Sequence, residues 1–400
     1  MTEALEPWLR IVGLGADGID SLAPAARRAV ETATLVVGAP RQLELVAALI
    51  HGETMQWPSP LAEGLPKVFA RKGQPTCVLG SGDPFWYGIG ATLAPQLTRG
   101  EFVCYPAPSS VSLAASRLGW ALQDVELVSL HGRALQEIVR FLQPGRRVLA
   151  LSWDKRTPPA LASLLVESGF ADSTLHVLEQ LGAADERVRS SDARSYHLTD
   201  VADLNLVALD VKGPGYALPL RGLPDALFEH DGQITKQDVR ALTLNALAPR
   251  PGELLWDVGA GSGSIAIEWM LAHPSCRAIA IERDAERVAR IRRNAEKLGT
   301  PRLEIKLAQA PVDAPTPDAV FLGGGVEESF AHAWRALRDG GRLVVNAVAL
   351  ETETQVHTLY KLYGGTLRRI SIEHAEPLGT MTGFRPQRAI TQWCVHKESR

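Results

Sequence analysis

The segment LLWDVGAGSGSIAIEWM, residues 254–270, admits few folds. An apolar run of strand length leads into glycines at 259, 261 and 263, and an apolar helical stretch follows at once. Glycine in such a turn takes positive φ without strain and lets a ligand approach the backbone. The start of the helix leaves N–H groups unpaired. A further strand, AIAIER, runs to Glu282, where an acid in an open α/β sheet can accept hydrogen bonds from both hydroxyls of a ribose. A dinucleotide fingerprint would need glycine at position 264, and this chain has Ser264 there. The expectation is a nucleoside-binding strand and loop without a pyrophosphate seat; the alternative is a tight strand-to-helix turn and nothing more.

The same α/β rhythm fills the rest of the chain. In the first two hundred residues, strands such as LRIVGLG, TCVLGSG, VELVSL and RVLALSW alternate with helical stretches such as SLAPAARRAVETA and TPPALASLLVESG. Periodicity then lapses in a Gly- and Pro-punctuated stretch after NLVALDV, and it restarts with the helical ITKQDVRALTLNALA, which Pro249 and Pro251 stop. This places a first domain at 1–212, a linker at 213–224 and a second domain at 225–400. The halves share no motif, so a fusion of unlike domains is expected rather than a duplication.

Charge narrows the partners. Before Pro224 the chain has 20 basic and 23 acidic residues, and after it 22 of each, so neither half is built as a nucleic-acid domain. The start MTEALEPWLR lacks a cationic, apolar leader, and no apolar run of about 18 residues occurs, which predicts a cytoplasmic chain without membrane spans. Cys77, Cys104, Cys276 and Cys394 are scattered without zinc-ligand spacing, so free thiols and no metal are expected.

In the second half, GxGxG after Asp257 resembles the first motif of the seven-stranded S-adenosylmethionine methyltransferases. Enzymes that methylate exocyclic amines carry Asn/Asp-Pro-Pro-Tyr after the next strand; here DAVFLGGGVEE sets Gly323, Gly324 and Gly325 instead. Together with QITK, AIERDAERVARIRRNA and GGRLVVNAVALET, these segments resemble the decarboxylating precorrin methyltransferase domain over residues 226–400. The resemblance implies that Thr235, the loop Gly259, Ala260, Gly261, Ser262 and Gly263, Glu282 and Ala310 contact the methyl donor. Around Ala310 the chain reads AQAP where relatives usually read GDAP, and Gln309 can replace that Asp as donor or acceptor on the adenine side.

In the first half, GLGADG opens with Gly13, Gly15 and Gly18, and CVLGSGDPFWYGIG, PAPSSVSLAASRLG and SLHGR follow in that order. This set resembles the tetrapyrrole methylase family over residues 9 to about 210, with SLHGR pointing to its C5-methylating branch. The resemblance implies two α/β subdomains and a donor site of Gly13, Gly15, Gly82, Asp83, Pro84, Ser109 and Ser110. Read without the resemblance, Asp83-Pro84 is an ordinary turn and Ser109 a helix cap.

Tetrapyrrole methylase followed by Rossmann-like, seven-stranded methyltransferase is the order found in a fused family of cobalamin-pathway enzymes. It implies methylation of a precorrin at C5 and C15 with loss of the C12 acetate carboxyl, giving precorrin-8, two S-adenosylmethionine sites per chain, and a homo-oligomer. No side-chain base is demanded by this chemistry, and no catalytic residue is named. A polycarboxylate substrate calls for cations: His131 and Arg133 either bind it or close a strand end, and Lys236, Arg385 and Arg388 either anchor it or are surface charge. Arg292 and Arg293 read as a solvated helix face paired with Glu296, and Trp153, Trp256 and Trp269 as packing.

Overall fold

The computed structural model describes residues 7–309 and 311–398. The chain divides into two compact units, Met1–Gly132 with Pro144–Gly215, and Arg133–Gln143 with Tyr216–Arg400. No helix among the described residues is long and apolar enough to cross a membrane.

The first unit holds two five-stranded sheets. One is wholly parallel and comprises β1 (Leu9–Leu14), β2 (Leu35–Gly38), β3 (Glu53–Gln56), β4 (Thr76–Ser81) and β5 (Phe102–Tyr105), in the order β3-β2-β4-β1-β5. Its central strands are near-continuous apolar runs because both faces are covered: Val12, Val36 and Leu79 pack on one side and Ile11, Val37 and Val78 on the other. The other sheet comprises β6 (Val125–Ser129), β7 (Arg147–Leu151), β8 (Thr174–Glu179), β9 (Arg187–Asp192) and β10 (Asn205–Asp210), in the order β6-β7-β10-β8-β9. Only β6 and β7 are parallel there. Helix α1 (Ser110–Leu118) lays Val111 and Ala114 on this second sheet, against Leu149, Leu178 and Leu206.

The second unit carries β11 (Leu254–Val258), β12 (Arg277–Glu282), β13 (Glu304–Leu307), β14 (Ala319–Leu322), β15 (Arg342–Ala347), β16 (Thr366–Ile370), β17 (Glu373–Leu378), β18 (Met381–Pro386) and β19 (Ile390–His396). Its main sheet runs β13-β12-β11-β14-β15-β19-β16, parallel as far as β15 and antiparallel beyond it, while β17 and β18 form a separate hairpin. From β11 the chain builds outward to one side through β12 and β13 and then returns to the other through β14. That reversal makes the carboxyl ends of β11 and β14 the natural crevice.

Helix α2 (Gln237–Leu247) begins three residues later than the periodicity of ITKQDV suggests. The helix after the glycines, α3 (Ser264–Ala272), is apolar nearly all round and accordingly buried from Ser264 to Met270. It lies in a core with Leu255, Ala280, Ile291 and Phe321. Helices α4 (Ala285–Lys297), α5 (Val326–Ala336) and α6 (Leu350–Tyr363) complete the layers.

The Gly- and Pro-rich stretch after residue 212 is irregular, as its lack of periodicity predicts, yet its end is anchored. Leu223 is fully buried, and the N–H groups of Gly222 and Leu223 donate to Glu268 at 2.9 and 3.1 Å. Buried Arg240 closes the arrangement, donating to Glu268 at 2.5 Å, to Asp225 at 3.1 Å and to the Thr235 carbonyl at 2.6 Å.

Candidate functional site

In the second unit the glycine loop is held from three sides. Gly259, Gly261 and Gly263 take φ of 72°, 59° and 76°, values that an L side chain adopts only with strain. Glu282, buried at the end of β12, accepts the Gly261 N–H at 2.9 Å through one oxygen, and through the other the N–H groups of Arg283 and Asp284 at 3.0 and 3.1 Å. Each carboxylate oxygen has two lone pairs, so the oxygen facing Gly261 keeps acceptor capacity. On the far side of β11, the Gly323 N–H donates to the Val258 carbonyl at 2.9 Å, and a side chain at 259 would lie 3.2 Å from the Gly324 nitrogen. The exposed Gly323, Gly324 and Gly325 thus lie beside the loop, as the strand order brings them there.

The third side is a residue to which the segment AIERDAERVARIRRNA lends no evident role. Asn294, on α4 and fully buried, donates to the Ser262 carbonyl at 2.9 Å and to the Glu229 carbonyl at 3.0 Å, and accepts the Glu229 N–H at 2.8 Å. It ties the segment before α2 to the loop and brings the Gln233 carbonyl within 3.5 Å of a side chain built at 261. Asp231 fastens the same segment, accepting Arg287 at 2.9 Å and Arg290 at 3.1 Å. These side-chain links cap a segment that makes no sheet.

Two polar atoms at this loop have no hydrogen-bond partner among the described residues, Asp257 Oδ1 and Ser262 Oγ, and both residues are buried. A buried orphan of this kind costs about 1–3 kcal/mol unless something satisfies it. Positive-φ glycines, an acid with spare lone pairs and orphaned polar atoms are a donor set suited to a ribose and an amino-acid end, so the residues fit a nucleoside-type methyl donor. Thr235 is half-buried, Ala260 and Ser262 are buried, and Gln309 is exposed. Ala310 lies outside the described residues.

Burial raises the Asp257 carboxyl from 3.8 to about 7, with the Ala266 N–H opposing the rise and the charge on Glu282 adding to it. The folded value lies above the unfolded one. The group therefore favours the fold fully below pH ~4 and loses that contribution as pH climbs towards 7. At about 1.4 kcal/mol per unit, the wild type should lose roughly 2–3 kcal/mol more than Asp257→Asn between pH 5 and pH 8. Urea-unfolding midpoints of both full-length proteins at the two pH values test this; parallel profiles would refute it.

In the first unit, the sequence-predicted residues converge at the carboxyl ends of β1, β4 and β5. A side chain at Gly13 would sit 2.1 Å from the Gly82 carbonyl oxygen and 2.6 Å from the Ala107 nitrogen. The Gly82 N–H donates to the Leu14 carbonyl at 2.8 Å, and its own carbonyl accepts Ala107 at 3.2 Å. Pro84 borders Gly13 at 3.1 Å, Gly82 borders Ser109 at 3.1 Å, and Gly15 packs on Asp17 and Ser21. The plain roles are present as well. Asp83 Oδ1 caps its own turn at the Phe85 N–H, 2.8 Å away, and Ser109 is the N-cap of α1, accepting Ser112 at 3.1 Å. Ser110 opens the helix and is exposed.

The cations are dispersed. His131 and Arg133 are exposed, and Arg133 lies 3.7 Å from Glu137. Lys236 lies 3.6 Å from Asp225, Arg385 pairs with Glu376 at 3.2 Å on the β17–β18 hairpin, and Arg388 is exposed just after it. Arg292 and Arg293 are exposed as expected, but the partner of Arg293 is Glu229 at 2.8 Å. Trp256 and Trp269 are buried packing residues, each donating its ring N–H to a carbonyl. Sequence reasoning passed over Asn294, Glu268 and Arg240, whose roles depend on partners as far as 65 residues away. It also passed over three exposed aromatics, Phe85, Trp86 and Tyr87, beside the first-unit loop.

Two family models match, tetrapyrrole (corrin/porphyrin) methylases over residues 9–195 and the precorrin methyltransferase domain over residues 226–397. A precorrin-6Y C(5,15)-methyltransferase (decarboxylating) from Sinorhizobium sp is 51% identical over 397 residues, covering 97% of this chain and 96% of that protein. A protein of the same name from Mycobacterium tuberculosis is 42% identical over 399 residues, covering 97% and 99%. The crystal structure of the C-terminal domain of precorrin-6Y C5,15-methyltransferase from Rhodobacter capsulatus is 48% identical, covers 45% of this chain and 98% of that one, and has a TM-score of 0.42.

Proposed function

The chain belongs to the precorrin-6Y C5,15-methyltransferase (decarboxylating) family, and from that premise we propose how its two halves divide the reaction. It is a C-methyltransferase of cobalamin biosynthesis that methylates precorrin-6Y at C5 and C15 and decarboxylates it, as the full-length relatives do. Residues 1–212 carry the C5 methylation, and residues 225–400 the C15 methylation and the loss of the C12 acetate carboxyl, giving precorrin-8; 213–224 is the join. The observation that carries this division is the presence, in separate units, of two unlike glycine-rich loops at the carboxyl ends of parallel strands.

Enzymes of this family use S-adenosylmethionine, which supplies an electrophilic methyl group on a sulfonium. In the second unit, Glu282 would hold the ribose hydroxyls, the Gly259–Gly263 backbone would let the donor lie close, and Thr235, Ala260, Ser262 and Ala310 would complete its seat. In the first unit, Gly13, Gly15, Gly82, Asp83, Pro84, Ser109 and Ser110 would do the same with backbone groups and small hydroxyls. The methyl acceptor is an electron-rich meso carbon, so orientation supplies much of the acceleration. Decarboxylation uses the conjugated ring as electron sink and needs the leaving carboxylate stripped of water. The exposed Gly323–Gly325 leave room for a large ring beside the second loop.

Lys236, Arg385 and Arg388, with His131 and Arg133, are the cations offered to the substrate's carboxylates. Arg385 would exchange an exposed carboxylate partner, Glu376, for substrate, which costs little because such surface pairs are weak, and Lys236 would turn from half-buried Asp225, which keeps its bond to Arg240. The same reading takes the chain as a cytoplasmic homo-oligomer that binds no nucleic acid. Exposed Leu378, Met381 and Phe384 on the β17–β18 hairpin support assembly, since apolar patches of this kind are usually covered.

Titrating the full-length chain with S-adenosylhomocysteine by calorimetry should give two sites per chain, and incubation with precorrin-6Y and labelled donor should add two methyl groups and remove one carboxyl. One site, or one methyl group, would defeat the division of labour.

A further inference from the structure

The loop after β4 displays Phe85, Trp86 and Tyr87 in succession, and their exposures are 43%, 42% and 55%. Each such ring has about 150–250 Å² to hide, and three in a row on a surface oppose the hydrophobic effect. The display is also held in place. Asp83 fixes the start of the loop through its side chain to the Phe85 N–H at 2.8 Å and through its carbonyl to the Trp86 N–H at 3.1 Å. The Gly90 N–H returns to the Pro84 carbonyl at 2.8 Å, and a side chain at Gly88 would lie 2.6 Å from that same oxygen. Tyr87 sits at φ 53°, a left-handed conformation that aromatic residues rarely adopt. Strain of this sort persists where the surroundings enforce it, and it gathers at ligand sites.

Place and chemistry say what the rings face. The loop begins at Gly82–Pro84, the residues that converge on Gly13 at the carboxyl ends of the strands. The reacting meso carbon presents its π orbital perpendicular to the macrocycle plane, so a methyl group can reach it only along that normal. Whatever fixes the plane of the ring fixes the line of approach. The triplet carries no charge, so it offers the carboxylate rim of a tetrapyrrole no ion pair, whereas an indole face matches the flat, polarisable face of the ring.

The three rings are not coplanar: Trp86 and Tyr87 meet edge to face, with centroids 5.6 Å apart and planes at 84°, and Phe85 packs on Phe102 at 6.1 Å. We propose that Trp86 is the stacking platform that sets the plane of the tetrapyrrole in the first-unit site, with Tyr87 bracing it edge-on and Phe85 rooting the loop. This rests on the reading that the first unit methylates a tetrapyrrole.

The full-length chain is assayed as wild type, Trp86→Leu and Trp86→Phe. Trp86→Leu should raise KM for precorrin-6Y in C5 methylation about tenfold, with kcat reduced as well because the plane is lost, and Trp86→Phe should recover most of both. S-adenosylhomocysteine binding, C15 methylation and carbon dioxide release should stay at wild-type values. Wild-type KM and kcat in Trp86→Leu would overturn the platform. So would equal losses in the Leu and Phe variants accompanied by a lowered melting temperature, which mark a packing role. Absorbance titration with uroporphyrin separates the two failures. If C5 methylation is absent from the wild type while Trp86→Leu still weakens uroporphyrin binding tenfold, the platform stands and the reaction assignment falls. If methylation is intact and binding ignores Trp86, the assignment stands and the platform falls.

Discussion

Gly261→Arg should abolish C15 methylation and carbon dioxide release, by about 10²-fold or more, while C5 methylation continues. At φ 59° any side chain at this position is strained, and the loop N–H that Glu282 accepts at 2.9 Å would be drawn off line. Open space near the position, with only the Gln233 carbonyl at 3.5 Å, means that the guanidinium enters the crevice rather than unfolding the unit. Mass analysis of the product should show a single added methyl group and an intact carboxyl, and calorimetry should lose one of its two donor sites. Retention of C15 methylation at the wild-type rate would show that the donor is held elsewhere.

The mirror experiment is Gly13→Val. Here a side chain has nowhere to go: backbone atoms of Gly82 and Ala107 stand 2.1 and 2.6 Å from the first carbon, so β1 and the β4 loop must part. The displacement is of the order of an ångström in a site that works by orientation, and a loss of about 10²-fold or more in C5 methylation is expected. The second unit has its own sheet and core, and its methylation and decarboxylation should be unchanged. Product carrying only the C15 methyl group is the expected result. A wild-type C5 rate would remove the first-unit loop from the donor site, and parallel loss of both methylations would show that the units do not act separately.

What could be read from the chain in advance follows the range of the forces involved. The run from Leu254 into the glycines, and the acid at Glu282, are patterns of neighbouring residues, and strand, loop and helix stand where those patterns put them. The start of α2 is a near case: apolar spacing reaches back to Ile234, but Thr235 gives its carbonyl to Arg240, and the helix begins at Gln237. Pairing within β6–β10 was not legible, because alternation marks a strand without stating its neighbour or direction. Asn294 and Glu268 looked like ordinary helix residues, since a buried polar side chain is identified by partners far away in sequence. Phe85, Trp86 and Tyr87 were hidden for the opposite reason: aromatic residues are read as core, and only the folded chain shows that these three are exposed.

Asn294 has further consequences for which changes in chain length the protein can absorb. Its side-chain amide is fully committed to Ser262 and to both backbone groups of Glu229, so a stretch that belongs to no helix or strand is measured out to the residue. An extra residue between Glu229 and Lys236 would slide the Gln233 carbonyl away from Gly261 and pull Thr235 from Arg240. Among the described residues, 219–221 make no hydrogen bond and Leu220 is 92% exposed, so a change of length confined to them displaces no bonded group, whereas Gly222 is bonded to Glu268 and Leu218 packs on the core. Two neighbouring pieces of irregular chain therefore tolerate different changes: residues 219–221 can change in length, and the piece after Phe228 is a ruler.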